Sequence, residues 1–273
     1  MKPRQRQLLW IAAAVIVALI WGFYSADGPQ TTAVLAGTVR AATLLALGAM
    51  CGMIGERSGI VNIGIEGQFL MSAFFAFTVT SMTGSLFMGA IAGVATGLTM
   101  GWLLAAMAVG LKVDQIIAGT VLNIAALGLT SFFYAHGREL GVSKYTNIDL
   151  GPLADIPLVG TVFFSRPPIT YLTMALLVVV HIALFRSVWG MRTRAIGEHP
   201  GAADTVGIDV LRLRYLNVTL AGGFAGLGGS YLALEAVGTF SRAMSGGRGF
   251  LALAVMIFCL LYTSDAADDT PCV

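Results

Sequence analysis

The sequence is poor in charged residues, because only 11% of its 273 residues are Asp, Glu, Lys or Arg. A soluble domain has about 25%, so this chain lacks the charge needed to cover a water-facing surface. A soluble globular enzyme, a disordered chain and a nucleic-acid-binding domain with a dense basic face are therefore excluded as classes. The remaining composition, with 57% hydrophobic residues, indicates a helical membrane protein that crosses the bilayer several times.

The sequence also lacks the motifs of common catalytic and metal sites. Its three cysteines, Cys51, Cys259 and Cys272, have neither metal-ligand nor CxxC spacing, so they predict no disulfide framework and no bound metal. There is no Walker A, HExxH or GxSxG motif, so we expect no catalytic residue, no cofactor and no ATP hydrolysis on this chain. No series of paired carboxylates crosses the apolar regions, which argues against a proton-driven carrier.

Long apolar runs recur along the chain, each near the length of about 20 residues that a membrane-spanning helix needs. They are too long and too uniformly apolar for membrane-spanning strands, so they predict an all-α protein. The predicted spans are 8–24, 34–54, 60–81, 86–111, 116–135, 169–189 and 215–237, with an eighth that begins near Phe250. We therefore predict about seven or eight transmembrane helices. The first run follows three basic residues and could alternatively be a secretory signal peptide.

The positions of Lys and Arg predict the orientation, because the cytoplasmic ends of spans carry more of them. With the N-terminus inside, ten lie on the inner side: Lys2, Arg4, Arg6, Arg57, Lys112, Arg186, Arg192, Arg194, Arg212 and Arg214. Six lie on the outer side: Arg40, Arg138, Lys144, Arg166, Arg242 and Arg248. We therefore expect a cytoplasmic N-terminus, an extracytoplasmic stretch 136–168 and a cytoplasmic stretch 190–214.

Small residues recur at helical spacing in two of the predicted spans. They are Gly89, Gly93, Gly97 and Gly101 in the fourth span, and Gly222, Ala225, Gly226 and Gly229 in the seventh. Lipid provides no hydrophobic gain for helix association, so small residues that permit close approach become important. Two interpretations stay open: packing between helices of this chain, and an interface between two subunits.

The segment 55–68, with the sequence GERSGIVNIGIEGQ, places polar residues between two apolar runs. Asn62 and Glu66 are four residues apart and therefore share a helix face. Polar groups at membrane depth are costly and usually face a partner or a cavity. These two residues either hydrogen-bond to neighbouring helices or line a solute path. The same two alternatives apply to Asn123, in the middle of the fifth predicted span.

The cytoplasmic stretch 190–214 predicts a short helix of about two turns. Pro200 suits the first turn of a helix, Ala202 and Ala203 favour helix, and Gly207 suits the end. A helix this short is unstable alone in water, and its apolar face is too small for a lipid surface. We therefore expect it to dock onto a protein partner.

Four segments, in the same order, resemble the permease subunits of bacterial ABC importers, the family that serves branched-chain amino acids, simple sugars and nucleosides. They are GERSGIVNIGIEGQ at 55–68, DQIIAGTVLNIAALGLTSF at 114–132, RAIGEHPGAADTVGIDVLRLRY at 194–215 and GGRGFLALAVMIF at 246–258. The first two are most similar to the nucleoside-type permeases. The resemblance implies a permease subunit without enzymatic activity that forms the path for nucleosides or simple sugars in the bacterial inner membrane. The alternatives are a branched-chain amino acid permease and an ion-coupled secondary transporter.

The resemblance also implies three partners in the lipid bilayer and beside it: a cytoplasmic ATPase subunit, a second permease subunit, identical or related, and an extracytoplasmic solute-binding protein. It identifies 197–208 as the coupling helix, which sits in a cleft of the ATPase. The implied coupling residues are Gly197, Glu198, His199, Pro200, Ala202, Ala203 and Gly207. His199 stands where the family has Asn before the proline, which puts the helix cap in question. The candidate residues of the solute path are Asn62, Glu66, Gln68 and Asn123.

The resemblance ends near Phe258, where the family continues with a Gly-Trp-type turn and at least one more hydrophobic span. This chain instead reads CLLYTSDAADDTPCV, which leaves the eighth span about ten apolar residues, too few to cross a membrane. The final residues resemble the translation of a DNA sequencing adapter. We therefore expect 1–258 to form a single transmembrane permease domain with a truncated C-terminus, and 259–273 to be a non-native tail.

Overall fold

The structure, a computed structural model, describes residues 21–25, 27–134, 140–149, 151 and 160–268, and it describes no side chain after Phe258. Nearly all of the predicted first span, 8–24, lies outside these residues, as do Cys272 and parts of the stretch 136–168. The α-helices are α1 (Gly28–Arg57), α2 (Ile65–Thr83), α3 (Leu86–Ala105), α4 (Gln115–Phe133), α5 (Pro168–Arg186), α6 (Val188–Glu198), α7 (Pro200–Thr205), α8 (Val210–Tyr231) and α9 (Arg248–Asp268). Wider π-helical turns extend α3 over Ala106–Gly110 and α8 over Leu232–Val237, and a third covers Gly160–Phe164.

The chain divides into two compact units. The smaller comprises 1–42, 147–166 and 258–273. In it, two strands of two residues each, β1 (Ile148–Asp149) and β2 (Ser165–Arg166), pair antiparallel. The buried guanidinium of Arg166 donates from Nε to the carbonyl oxygen of Val162 at 2.6 Å, which holds the π-helical turn beside β2.

The larger unit comprises 43–146 and 167–257 and contains α2 as its central helix. All but one of the residues from Ile65 to Ala73 are buried. The ring of Phe69 lies so close to Gly48 of α1 and Gly228 of α8 that a Cβ there would approach it within 3.0 Å and 2.5 Å. Because neighbouring helices enclose α2, it can carry polar side chains that a lipid-facing helix could not.

Five helices among the described residues are long and apolar enough to cross a membrane. They are α1, α3 with its extension, α4, α5, and α8 with its extension. These five coincide with the predicted spans 34–54, 86–111, 116–135, 169–189 and 215–237. The prediction of an all-α membrane protein is therefore confirmed, while the count of seven or eight spans stays a prediction. In the described part, the two-residue strand pair is the one regular element that is not helical.

Two predicted spans take a different form in the structure. The third, 60–81, begins later, at Ile65, because residues 60–64 form a turn. Asn62 therefore lies outside the helix that carries Glu66, and the prediction that the two residues share a helix face was wrong. The eighth is α9, whose apolar part, Arg248–Phe258, is shorter than a span. Since the helical backbone continues to Asp268, it runs through the first ten residues of the segment expected to be a non-native tail. That expectation stays a prediction.

Glycines determine the contact between α3 and α8. A Cβ added at Gly101 would lie 2.7 Å from the carbonyl oxygen of Val218, and one at Gly226 would lie 2.6 Å from that of Gly93. Real Cβ atoms do not approach other atoms so closely, so any larger residue would force the backbones apart. The two glycine patterns therefore pack against each other within this chain, which confirms the first of the two interpretations given above.

We predict that Gly97→Ala destabilises the fold, because the added methyl group meets the backbone of Gly222 and Gly226. Overpacking of this kind lowers the free energy of unfolding by about 1–3 kcal/mol. The matched control is Gly128→Ala, which adds the same group to α4 where nothing lies within 4 Å. Thermal unfolding of the purified proteins in detergent compares them, and equal melting temperatures for both variants would contradict the packing argument.

Candidate functional site

The turn between α1 and α2 brings the polar residues of the first sequence segment into the interior. Gly59 adopts a left-handed conformation at φ +81°, which glycine adopts without strain. The Val61 N–H donates to the side-chain oxygen Oε1 of Gln115 at 2.6 Å, and the Gly64 N–H donates to Oδ1 of Asn62 at 3.0 Å. These side chains satisfy backbone groups that no helix pairs at this point, since a buried N–H needs an acceptor.

Asn62 and Gln68 form a buried polar cluster with Cys51. The Asn62 amide donates from Nδ2 to Oε1 of Gln68 at 3.1 Å and lies 3.3 Å from the Cys51 sulfur. All three side chains are buried. The amide nitrogen of Gln68 is also buried and has no hydrogen-bond partner among the described residues. The cluster therefore has one polar donor that the protein itself leaves unused, in the part of the chain that the structure describes.

Asn123 attaches α4 to the beginning of α2. Its Nδ2 donates to the carbonyl oxygen of Ile63 at 3.0 Å, and its Oδ1 accepts from the Gly67 N–H at 2.7 Å. Gly64, which precedes α2, has no side chain that could cap this helix. Because the first N–H groups of a helix have no partner within it, Asn123 performs the function of an N-cap from another helix.

Glu66 caps α9 in the same manner. Its two carboxylate oxygens accept from the N–H groups of Gly247 and Gly249, each at 2.7 Å. A Cβ at Gly249 would lie 2.6 Å from the Cα of Glu66, so only glycine permits this approach. A negative charge at a helix N-terminus is favourable, because the peptide dipoles leave partial positive charge there. In this conformation the Glu66 carboxylate is therefore directed at the start of α9.

A second carboxylate caps α5 from the far end of α8. Glu235 is buried, and its Oε2 accepts from the Ile169 N–H at 2.9 Å while its Oε1 accepts from the Thr170 hydroxyl. The sequence alone does not predict this role for Glu235. The sequence does contain a hint that α5 needs an acceptor from elsewhere, because the Pro-Pro pair at its start provides no side-chain cap. An apolar helix without a local cap needs an acceptor from elsewhere.

The predicted cytoplasmic helix is present as α7. Pro200 occupies its first position, and Gly207 follows its end with φ +82°. His199, which precedes the helix, makes no side-chain cap bond, consistent with its departure from the family's Asn. The exposed coupling candidates on this segment are Glu198, His199, Pro200, Ala202 and Gly207, whereas Ala203 is buried and Gly197 is partly buried. An open groove of about 520 Å³ lies between α7 and the start of α8.

The coupling candidates and the solute-path candidates are connected through one backbone contact. A Cβ at Gly197 would lie 3.0 Å from the carbonyl carbon of Arg57 and 3.3 Å from the Gly59 nitrogen. The end of α6 therefore lies directly on the turn that leads to Asn62 and the start of α2. The structure thus brings Asn62, Glu66, Gln68 and Asn123 together around the start of α2 and places the segment 197–207 next to the same turn.

Comparison with known proteins agrees with the resemblance seen in the sequence. The family model for the branched-chain amino acid transport system / permease component matches residues 34–264. The guanosine ABC transporter permease protein NupQ of Bacillus subtilis is 35% identical, over 82% of this chain and 74% of its own length. The nucleoside ABC transporter permease protein NupC of Lactococcus lactis is 36% identical, over 76% and 69%. A protein of Haloferax volcanii named as a candidate glucose ABC transporter permease is 37% identical, over 82% and 69%. No solved structure matches.

We predict that Glu66→Gln destabilises the protein, because the amide has one acceptor oxygen where two N–H groups need acceptors. Leaving one of these groups without a partner lowers the free energy of unfolding by about 1–3 kcal/mol. Glu198→Gln is the matched control, since Glu198 is exposed at the end of α6. Thermal unfolding in detergent measures both, and a melting temperature of Glu66→Gln as high as that of the control would contradict the capping role.

Proposed function

Since this chain belongs to the family of permease components of branched-chain amino acid transport systems, we propose that it is the transmembrane permease subunit of an ATP-driven importer for nucleosides or simple sugars. The observation that carries this proposal is α7, a short exposed helix whose neighbour Gly197 touches the turn that leads to the buried polar cluster. Such a helix can bind a protein partner on the cytoplasmic side, and its movement would shift the turn between α1 and α2. The permease is not itself catalytic, and a separate ATPase subunit hydrolyses the ATP.

The complex contains three further components. Two permease subunits, identical or related, form the pathway, the ATPase docks on Gly197–Gly207, and a binding protein delivers solute at the extracytoplasmic side. Residues 1–258 form one domain in the bacterial inner membrane, with a cytoplasmic N-terminus and seven or eight spans. The distribution of Lys and Arg supports this orientation, and the names of the relatives support the partners.

Nucleosides or simple sugars are favoured as solutes over branched-chain amino acids. NupQ and NupC are named for guanosine and for nucleosides, and each is at least 35% identical to this chain. The sequence segments at 55–68 and 114–132 are also most similar to the nucleoside type. A branched-chain amino acid remains the alternative solute, and a labelled amino acid belongs in any transport assay.

Transport in proteoliposomes tests the function. We expect uptake of labelled guanosine or ribose, with little uptake of leucine, only when the permease is reconstituted with its ATPase and binding protein and supplied with ATP. The rival function is an ion-coupled secondary transporter, which has no use for a helix that docks an ATPase. Uptake driven by a sodium or proton gradient in the absence of the ATPase would overturn the importer proposal.

The docking role of α7 predicts that Gly201→Trp and Glu198→Lys uncouple the ATPase from transport. Nothing lies within 4 Å of a Cβ at Gly201, so the fold of the subunit accommodates the indole, whereas a close-fitting partner does not. Overpacking costs about 1–3 kcal/mol. If the docking of the ATPase loses that free energy, we expect uptake to fall about tenfold. Met191→Trp, at an exposed position of α6, is the control and should transport normally. Unchanged uptake in both test variants would count against docking at α7.

The four candidate residues contribute to the solute path in two different capacities. Glu66 and Asn123 use their polar atoms to hold the starts of α9 and α2, so they position the path. Gln68 has an unpaired amide nitrogen among the described residues and, with Asn62 beside it, offers a donor for a hydroxyl or a base edge. Gln68 is fully buried in this conformation, so we propose that its free donor meets solute when transport moves the helices around it.

We predict that Gln68→Met weakens solute recognition, because it removes the donor and keeps a similar volume. The half-saturating guanosine concentration should rise about tenfold, the factor that one hydrogen bond contributes. Ser72→Ala is the matched control, since the Ser72 hydroxyl is buried one turn further along α2 and also lacks a partner in the described part of the chain. Equal half-saturating concentrations for the two variants would remove Gln68 from the path.

A further inference from the structure

Arg214 joins three parts of the chain at the inner end of the larger unit. Its Nε donates to the carbonyl oxygen of Ser58 at 3.0 Å, and its Nη2 donates to that of Ile196 at 3.2 Å. A Cβ at Gly59 would lie 2.9 Å from Nη2, so the guanidinium rests directly on this turn. We call Ser58, Gly59, Ile196, Gly197 and Arg214 the inner junction.

Both acceptors of Arg214 lie where helices end. Ser58 follows the last residue of α1, and Ile196 lies in the final turn of α6. The last carbonyl groups of a helix lack a donor within it and carry partial negative charge, so a cation there is favourable. The planar guanidinium presents several donors in a fixed fork, whereas a lysine ammonium donates from a single point. Arginine is therefore suited to hold these two helix ends together.

The inner junction lies between α7 and the buried polar cluster. On one side, α7 is held to α6 through His199, whose N–H donates to Ala195 and whose carbonyl accepts from Ala203. On the other, Ile208 donates to the Ala203 carbonyl just before α8, the helix that carries Arg214. A displacement of α7 therefore reaches the end of α6, which precedes it, and the start of α8, which follows it. Arg214, on α8, binds the end of α6 and the turn at Ser58.

We infer that Arg214 is the positioning residue that transmits the displacement of α7 to the segment 58–68, so that ATP hydrolysis drives solute movement only while both of its hydrogen bonds are present. This inference rests on the proposed function, because it requires a docked ATPase. From Ser58 the backbone leads within a few residues to Asn62 and to Glu66, which holds the start of α9. Arg214 itself takes no part in binding solute.

The experiment compares Arg214→Gln, Arg214→Lys and Arg212→Gln in proteoliposomes that contain the permease, its ATPase and the binding protein. Arg212 is the matched control, since it lies two residues away on α8 and its exposed side chain pairs with Asp209 at 2.9 Å. Two quantities are measured: ATP hydrolysed, and labelled guanosine taken up. Their ratio reports coupling when the assembled complex is purified before reconstitution, because free ATPase then adds no hydrolysis and a loss of folded complex lowers both quantities together.

We expect Arg214→Gln to retain the ATPase on purification and to raise the ratio of ATP hydrolysed to guanosine transported at least about tenfold, the factor that one charged hydrogen bond contributes. Arg214→Lys should raise it less, and Arg212→Gln should match the wild type. A wild-type ratio in Arg214→Gln overturns the inference. If that variant does not assemble, Arg214→Lys decides, and a wild-type ratio there overturns it equally. A wild-type complex without ATP-dependent uptake overturns the proposed function, and the inference with it.

Discussion

The start of a helix in an apolar environment needs a hydrogen-bond acceptor, and this requirement shapes the interior of the molecule. A buried N–H that is left without an acceptor lowers the free energy of unfolding by about 1–3 kcal/mol. Three helices obtain the acceptor from another helix: α2 from Asn123, α5 from Glu235 and α9 from Glu66. Other helices, among them α4 and α8, are capped locally by Asp114 and Asp209.

This division separates the helices into two groups with different dependence on tertiary structure. A locally capped helix has its stop and start signals within its own sequence. A helix capped from elsewhere has a complete N-terminus only after its partner has packed beside it, so α2, α5 and α9 depend on the contacts of the larger unit. The glycines are part of the same arrangement, because Gly67 and Gly249 let the capping helices approach closely.

The same contacts connect the stretch 190–214 to the start of α2. The turn after α1 touches the end of α6 at Gly197, and it continues into the residues that hold α2, α4 and α9 together. They combine hydrogen bonds, which are directional, with close backbone contacts at glycine and with buried apolar side chains such as Ile60 and Ile65. The turn after α1 therefore shares one set of contacts with the end of α6 and with the starts of α2 and α9.

Local composition and spacing were enough to predict the class of protein, the position of most described helices and the bounds of α7. Pro200 and Gly207 delimit α7 as predicted, and the apolar runs from 34 onward form helices in the part of the chain that the structure describes. Tertiary structure alone decided where Glu66 is directed, since its partners are 181 and 183 residues away. It also decided that the glycine patterns pack on each other. Spacing shows which face a residue occupies, but the hydrogen-bond partner on that face is known only when a distant segment folds against it.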